Sequence, residues 1–170
     1  MIAMAMSCGP DLLIADEPKT ALDVTVQAQV LEELDILRRT TKTALIIITH
    51  NLGVVARYVD TVKIVYGGSI VESGTTKDVF EDPHHPYTLG LIRAVPRLDR
   101  PRSYGLHTIP GEPPDMSKVP ENVCVFAARC RYECHDCTER KPPLVEIAPG
   151  HMCACLHAAA TKEEREELLR

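Results

Sequence analysis

The chain has 170 residues, enough for one ordinary domain or parts of two, and its 45% hydrophobic and 25% charged residues are the balance of a globular protein. A net charge of −5 and few aromatic residues leave no basic face and no stacking platform, which argues against a nucleic-acid partner. No apolar run approaches the roughly 20 residues of a membrane helix, and the opening Met-Ile-Ala-Met-Ala-Met lacks the length and positive flank of a secretion signal; the expectation is a cytoplasmic protein that meets membranes through partners.

Leu12–Ala15 is a short continuous apolar run, the pattern of a strand buried on both faces, and it delivers Asp16 and Glu17 to its carboxyl end. From Val24 to Arg39 the apolar residues Val26, Val30, Leu34 and Leu37 recur at helical spacing, with Arg38 and Arg39 placed to suit the helix dipole. Ala44–Ile48, rich in β-branched residues, is a second buried strand that leads through Thr49 to His50. Strand, helix and strand in this length make a parallel crossover unit. In such a sheet ligands collect beyond the carboxyl ends of the strands, where two carboxylates and an imidazole suit a magnesium ion, an attacking water and a terminal phosphate. Taken singly, each has an ordinary structural reading: Asp-Glu-Pro as a solvated turn, His50 as a hydrogen-bonded strand end, Asp23 as the N-cap of the helix that follows. The pairing of the two strand ends favours the chemical reading. No Gly-x-x-x-x-Gly-Lys-Ser/Thr loop occurs to hold the phosphate.

Beyond His50 the pattern predicts a short helix over 52–59 and a hairpin of 61–66 with 69–72 turning at Gly67-Gly68. Further short helices are expected over 75–80 and from Pro86 through Ala94. Residues 96–120 read as a Pro- and Gly-rich linker, 121–157 as a cysteine-rich module and 158–170 as a polar tail, leaving 1–95 as the α/β part. Of the seven cysteines only Cys8 precedes the module, and it reads as a buried core residue. The other six suggest a metal site rather than disulfides in a reducing compartment. Pattern alone allows two sets of four. One is a zinc-knuckle arrangement of Cys134, Cys137, Cys153 and Cys155, with His135 and His151 near enough to ligate or simply solvated. The other is Cys124, Cys130, Cys137 and Cys155.

Leu12-Leu-Ile-Ala-Asp-Glu-Pro18, Thr20-Ala-Leu-Asp-Val-Thr25 and Thr49-His-Asn-Leu52 resemble the Walker B, D-loop and switch-histidine segments of an ABC transporter ATPase. Pro83-His-His-Pro-Tyr-Thr-Leu-Gly-Leu91, Ile109-Pro-Gly-Glu-Pro-Pro114 and the cysteine-rich end are similar to the ATP-binding subunits of oligopeptide and dipeptide importers. The resemblance implies the carboxyl-terminal part of a P-loop α/β ABC ATPase core, a parallel sheet with helices, followed by a small irregular metal-bound module. It implies ATP and Mg²⁺ as cofactors, with Asp16 on the metal, Glu17 as catalytic base, His50 sensing the γ-phosphate and Asp23 reaching the opposite ATPase subunit. It favours the second cysteine set, Cys124, Cys130, Cys137 and Cys155, as ligands of a [4Fe–4S] cluster, with Zn²⁺ the alternative. Lys19 departs from the family's usual small hydroxyl residue there.

The implied partners are a second ATPase subunit, two membrane-spanning permease subunits and, indirectly, an external peptide-binding protein. The implied place is the inner face of the cell membrane, held through those subunits. Because the family's phosphate loop and signature segment lie upstream of these motifs, the expectation is an ATP-hydrolysing subunit of a peptide importer represented by its carboxyl-terminal part, inactive as this chain alone. The alternative is a non-enzymatic iron–sulfur or zinc module docked on a transporter.

Overall fold

A computed structural model describes residues 2–18, 24–96, 107–161, 163 and 166. The chain folds as two units, Met1–Tyr58 and Val59–Arg170.

The first unit contains α1 (Ile2–Met6), β1 (Leu12–Asp16), α2 (Val24–Thr41), β2 (Ala44–Ile48) and α3 (Leu52–Tyr58). β1 and β2 pair in parallel, Leu12 opposite Ala44 through Asp16 opposite Ile48. The ladder extends at both ends, with Ala44 N–H on the Asp11 carbonyl at 2.8 Å and Glu17 N–H on that of Ile48 at 2.9 Å. α2 buries Leu34 of the expected stripe together with Leu31, while Val26, Val30 and Leu37 are half-buried. Its end is fastened by Asp35, which takes Arg38 and Arg39 at 2.9 Å each; these bonds hold the Asp35 carboxyl below the ordinary carboxylate range. Lys42, at φ 58°, then turns the chain out of the helix. Thr43 is buried and donates to the Pro10 carbonyl at 2.9 Å, tying the start of β2 to the start of β1. Asn51 caps α3 through its side-chain oxygen on Val54 N–H at 3.2 Å.

The two strands are not buried on both faces as their apolar runs suggest. Leu12, Ile14, Ile46 and Ile48 are 46, 59, 46 and 50% exposed, and side chains alternate between exposed and half-buried. Period two sends alternate residues to opposite faces, and only one face of this two-stranded sheet is covered within the unit. Cys8, expected in the core, is exposed: α1 buries none of its residues, so the segment beside it has no core to enter.

The second unit is built on a four-stranded antiparallel sheet of order β3-β4-β6-β5, comprising β3 (Thr61–Tyr66), β4 (Ser69–Thr75), β5 (Val145–Ala148) and β6 (His151–Cys153). Gly67 and Gly68, at φ 51° and 71°, make the tight turn between β3 and β4. Thr75 and Asp78 form a capping box that starts α4 (Thr76–Glu81). His85 caps α5 (Pro86–Ala94) through Nδ1, which accepts from Tyr87 N–H at 3.1 Å, and Pro86 opens the helix. A 3-10 turn (Ala127–Arg129) and α6 (His135–Glu139) carry much of the cysteine region. That region is continuous with the hairpin, because β6 pairs with β4 (Glu72 opposite Cys153) and Ala154 N–H bonds the Val71 carbonyl at 2.8 Å. Tyr66, Tyr87 and Phe126 pack ring to ring at 4.7–5.4 Å. Arg129 clamps the Pro- and Gly-rich segment by donating to the carbonyls of Pro110 at 2.9 Å and Ile109 at 3.3 Å. The tail begins as a short 3-10 turn (Ala158–Thr161) whose buried Thr161 donates to the His84 carbonyl at 3.3 Å. Among the described residues no helix is long and apolar enough to cross a membrane.

Candidate functional site

The parallel ladder carries Asp16, Glu17 and His50 to one edge, beyond the carboxyl ends of β1 and β2. Glu17 has φ 42°, a left-handed backbone that costs a side-chain-bearing residue about 1–3 kcal/mol and persists where the surroundings enforce it. The enforcement is visible: its amide is fixed by the Ile48 carbonyl, and its Oε1 accepts from His50 N–H at 3.1 Å while lying 2.7 Å from His50 Nδ1. One carboxylate oxygen therefore holds both the backbone and the ring of His50. With the ring proton on Nδ1, the histidine donates to Glu17 and turns Nε2 to other partners. Asp16 stands next to this pair as an exposed carboxylate at the last β1 position. A hard oxygen donor beside a carboxylate–imidazole pair fits a magnesium ion and a polarised water. Asp23 and Lys19 lie outside the described residues.

The cysteine region is a second candidate. The thiols of Cys124, Cys130, Cys137 and Cys155 lie close enough to one another or to Cys134 to feel charge on a neighbouring sulfur. Burial pushes Cys130 up to about 12 and Cys137 up to about 11, and raises Cys124 and Cys155 as well. Backbone N–H groups oppose this. Those of Phe126 and Ala127 bond the Cys124 sulfur, that of Tyr132 bonds Cys130, that of Cys134 bonds Cys137 and that of His157 bonds Cys155. Amide donors aimed at sulfur are a means by which proteins tune thiolate-bound iron–sulfur clusters. Cys124 N–H also bonds the Cys137 carbonyl at 2.9 Å, which stitches two of these loops together. Among the described residues no group of three or more His, Cys, Asp or Glu is placed to hold a single metal ion.

His151, considered as a zinc ligand or a solvated loop histidine, is neither. It is buried and its Nε2 lies 2.8 Å from Oε1 of Glu72, which is fully buried. Glu72 also accepts from the backbone N–H groups of His84 at 2.7 Å and His85 at 3.0 Å. Burial acts to raise its pKa, yet the bonds from His151, His84 and His85 outweigh it and hold the carboxyl below the ordinary range. This tie joins β4, β6 and the start of α5. The sequence holds one hint of it, the Pro83-His-His-Pro86 turn, and nothing that marks Glu72, because a carboxylate in an inward strand position has no periodic signature. His135 is exposed and pairs with Glu139 at 3.4 Å. Cys153 is fully buried in β6, opposite Glu72 and Val145.

A parallel strand–helix–strand unit ending in Asp16, Glu17 and His50, followed by antiparallel strands and short helices, makes a mixed α/β chain consistent with the carboxyl-terminal part of an ABC ATPase. Residues 71–137 match the family model described as the oligopeptide/dipeptide transporter, C-terminal region. The chain is 51% identical over 155 residues to the oligopeptide transport ATP-binding protein OppD of Salmonella typhimurium (91% of this chain, 45% of that protein). It is 44% identical over 172 residues to OppD of Bacillus subtilis (100% and 48%), and 48% identical over 155 residues to OppD of Haemophilus influenzae (91% and 47%). Over most of its length the chain is similar to ATP-binding proteins of oligopeptide transporters, and it spans about half the length of the curated relatives it matches.

Proposed function

We propose that this chain contributes the water-activating edge of an ATP-hydrolysing subunit in an ABC importer of oligopeptides. The observation that carries the reading is the Glu17 carboxylate, held in a strained backbone conformation and joined to His50 at 2.7 Å beside Asp16. Asp16 would hold magnesium. Glu17 would orient and deprotonate the water that attacks the γ-phosphate, and His50, fixed by Glu17, would meet that phosphate. Asp23 would reach the opposite ATPase subunit. Phosphoryl transfer is mostly positioning and charge stabilisation, so the phosphate-binding loop must come from sequence that this chain does not contain. The uncovered apolar face of β1 and β2 supports the same view, since parallel sheets are ordinarily covered on both faces. The partners of such a subunit are a second ATPase subunit and two permease subunits, with an external peptide-binding protein feeding them. Its place is the cytoplasmic face of the membrane.

The finer reading of the cysteine region is a [4Fe–4S] cluster on Cys124, Cys130, Cys137 and Cys155. The donor set fits: four soft thiols, each met by backbone N–H groups, lie in one folded region. When bound, the cluster would cross-link loops that have little apolar core of their own. The fully buried strand position of Cys153 and the bond of His151 to Glu72 weigh against the zinc-knuckle set. A purely non-enzymatic module is not favoured, because it leaves the strained Glu17–His50 pair without a use.

The test is ATP hydrolysis by this chain completed with the remaining half of the subunit. This chain alone should release phosphate at buffer background. In the completed protein Glu17→Gln should keep ATP binding and lower turnover by about a hundredfold or more, the range of lost general base catalysis, and His50→Ala should also impair it. Parental rates in both variants would refute the assignment.

A further inference from the structure

Cys134 has no part in the proposed ligand set, yet its Sγ lies 3.4 Å from Sγ of Cys137. The two are separated by His135 and Asp136. Cys134 is the N-cap of α6, its amide faces the Cys137 sulfur, and Cys137 N–H bonds the Cys134 carbonyl at 2.9 Å. Bonds in both directions hold the two residues in one turn, with their sulfurs in van der Waals contact. Disulfide bonding requires an approach of about 1.4 Å more, to the covalent separation of about 2.05 Å, which side-chain rotation within a single turn can supply. Access is unequal, since Cys134 is half-buried and Cys137 buried.

We propose that Cys134 and Cys137 form a reversible disulfide site, with hydrogen peroxide as oxidant. The accessible Cys134 sulfur attacks the peroxide oxygen, becoming a sulfenic acid and releasing one water. The Cys137 sulfur then displaces hydroxide from it, losing its own proton, so that the S–S bond forms and a second water leaves. Two thiols give up two electrons and two protons, and one peroxide becomes two waters. The second step draws on the contact geometry, the two sulfurs standing 3.4 Å apart in one turn. Resting on the cluster reading above, one consequence follows: Cys137 cannot serve a cluster and the disulfide at once, so the disulfide would shield Cys137 from irreversible oxidation after cluster loss and return it on reduction.

The experiment uses the full chain, reduced and metal-free, which makes its result independent of the cluster reading. Hydrogen peroxide is added, remaining thiols are alkylated, and the protein is cut with trypsin. The peptide running from Tyr132 to Arg140 contains Cys134 and Cys137 and no other cysteine. The expected product is that peptide lighter by two hydrogens and unalkylated, restored to double alkylation by dithiothreitol. Cys134→Ser should abolish the two-hydrogen loss and leave Cys137 open to alkylation or over-oxidation. Double alkylation of this peptide while other cysteines are oxidised, or a cross-link of Cys134 to another peptide, would overturn the proposal.

Discussion

His85 shows how one buried side chain sets an acid limit on this fold. It is almost fully buried, its Nδ1 accepts the Tyr87 amide, and desolvation lowers its pKa from 6.5 to about 4 despite the neighbouring Glu72 carboxylate. In the unfolded chain the ring takes up a proton near pH 6.5, whereas in the folded chain it stays neutral to about pH 4. Between those values the unfolded state binds the extra proton, so stability falls as the pH is lowered, by on the order of 3 kcal/mol across the window. Glu72 acts further down. Its lowered carboxyl contributes stability above the ordinary carboxylate range, and that contribution is lost as the pH falls through the folded value. His85→Asn can still cap α5 but does not titrate, so its melting temperature should decline far less than the parent's between about pH 6.5 and 5. Parallel declines would show that His85 is not the group responsible. At this scale the meeting of Glu17 and His50 was legible, because each follows directly from the end of a strand and the two strands pair. The sequence was silent on Glu72 and His151, which meet across 79 positions, and it misled on Cys8, whose apolar character alone could not supply a core to enter.

The strands, the long helix and the Gly67-Gly68 hairpin follow closely from period and turn chemistry, since these are local properties. What locality could not reveal is which faces are covered. The apolar runs of β1 and β2 are those of strands buried on both sides, yet one side, with Leu12, Ile14, Ile46 and Ile48, is open to solvent. Such a patch draws other apolar surface to itself, and two strands alone are marginally stable. Ile14 and Ile46 stand directly opposite each other, so Ile14→Lys with Ile46→Glu places an opposite-charge pair at one cross-strand position, an arrangement sheets tolerate. The double variant of this chain should bind less hydrophobic dye and associate less than the parent. Completed with the other half of the subunit, it should fail to hydrolyse ATP, because charges would then be buried between layers. Unchanged dye binding together with intact ATPase activity would show that this face stays open in the working protein.

Across the whole molecule, the ties that cross the composition-based segments are those of the second unit, where β4 accepts β6 as a neighbour and Arg129 holds the intervening Pro- and Gly-rich segment. Part of those segments, including residues 97–106, lies outside the described residues. The cysteine region is thus fastened to the hairpin by backbone pairing and by the Glu72 tie, independently of any metal. This separation gives the cluster reading a demanding test. If Cys124, Cys130, Cys137 and Cys155 are the ligands, serine at any one of them should cost the anaerobically purified protein its brown colour and its bound iron and sulfide, while the hairpin and α5 keep their amide protection. Serine at Cys134 or Cys153 should leave the colour intact. Cys153→Ser should lower the melting temperature, because it puts a hydroxyl into a fully buried strand position. Iron analysis, visible absorption and hydrogen exchange on the six variants separate the outcomes. Colour lost at Cys134 or Cys153 but kept at Cys124 and Cys130 would move the ligand set to the zinc-knuckle pattern. Six variants indistinguishable in metal content would remove the metal from this region altogether, leaving burial, the pairing of β6 with β4 and the Glu72 tie to hold it.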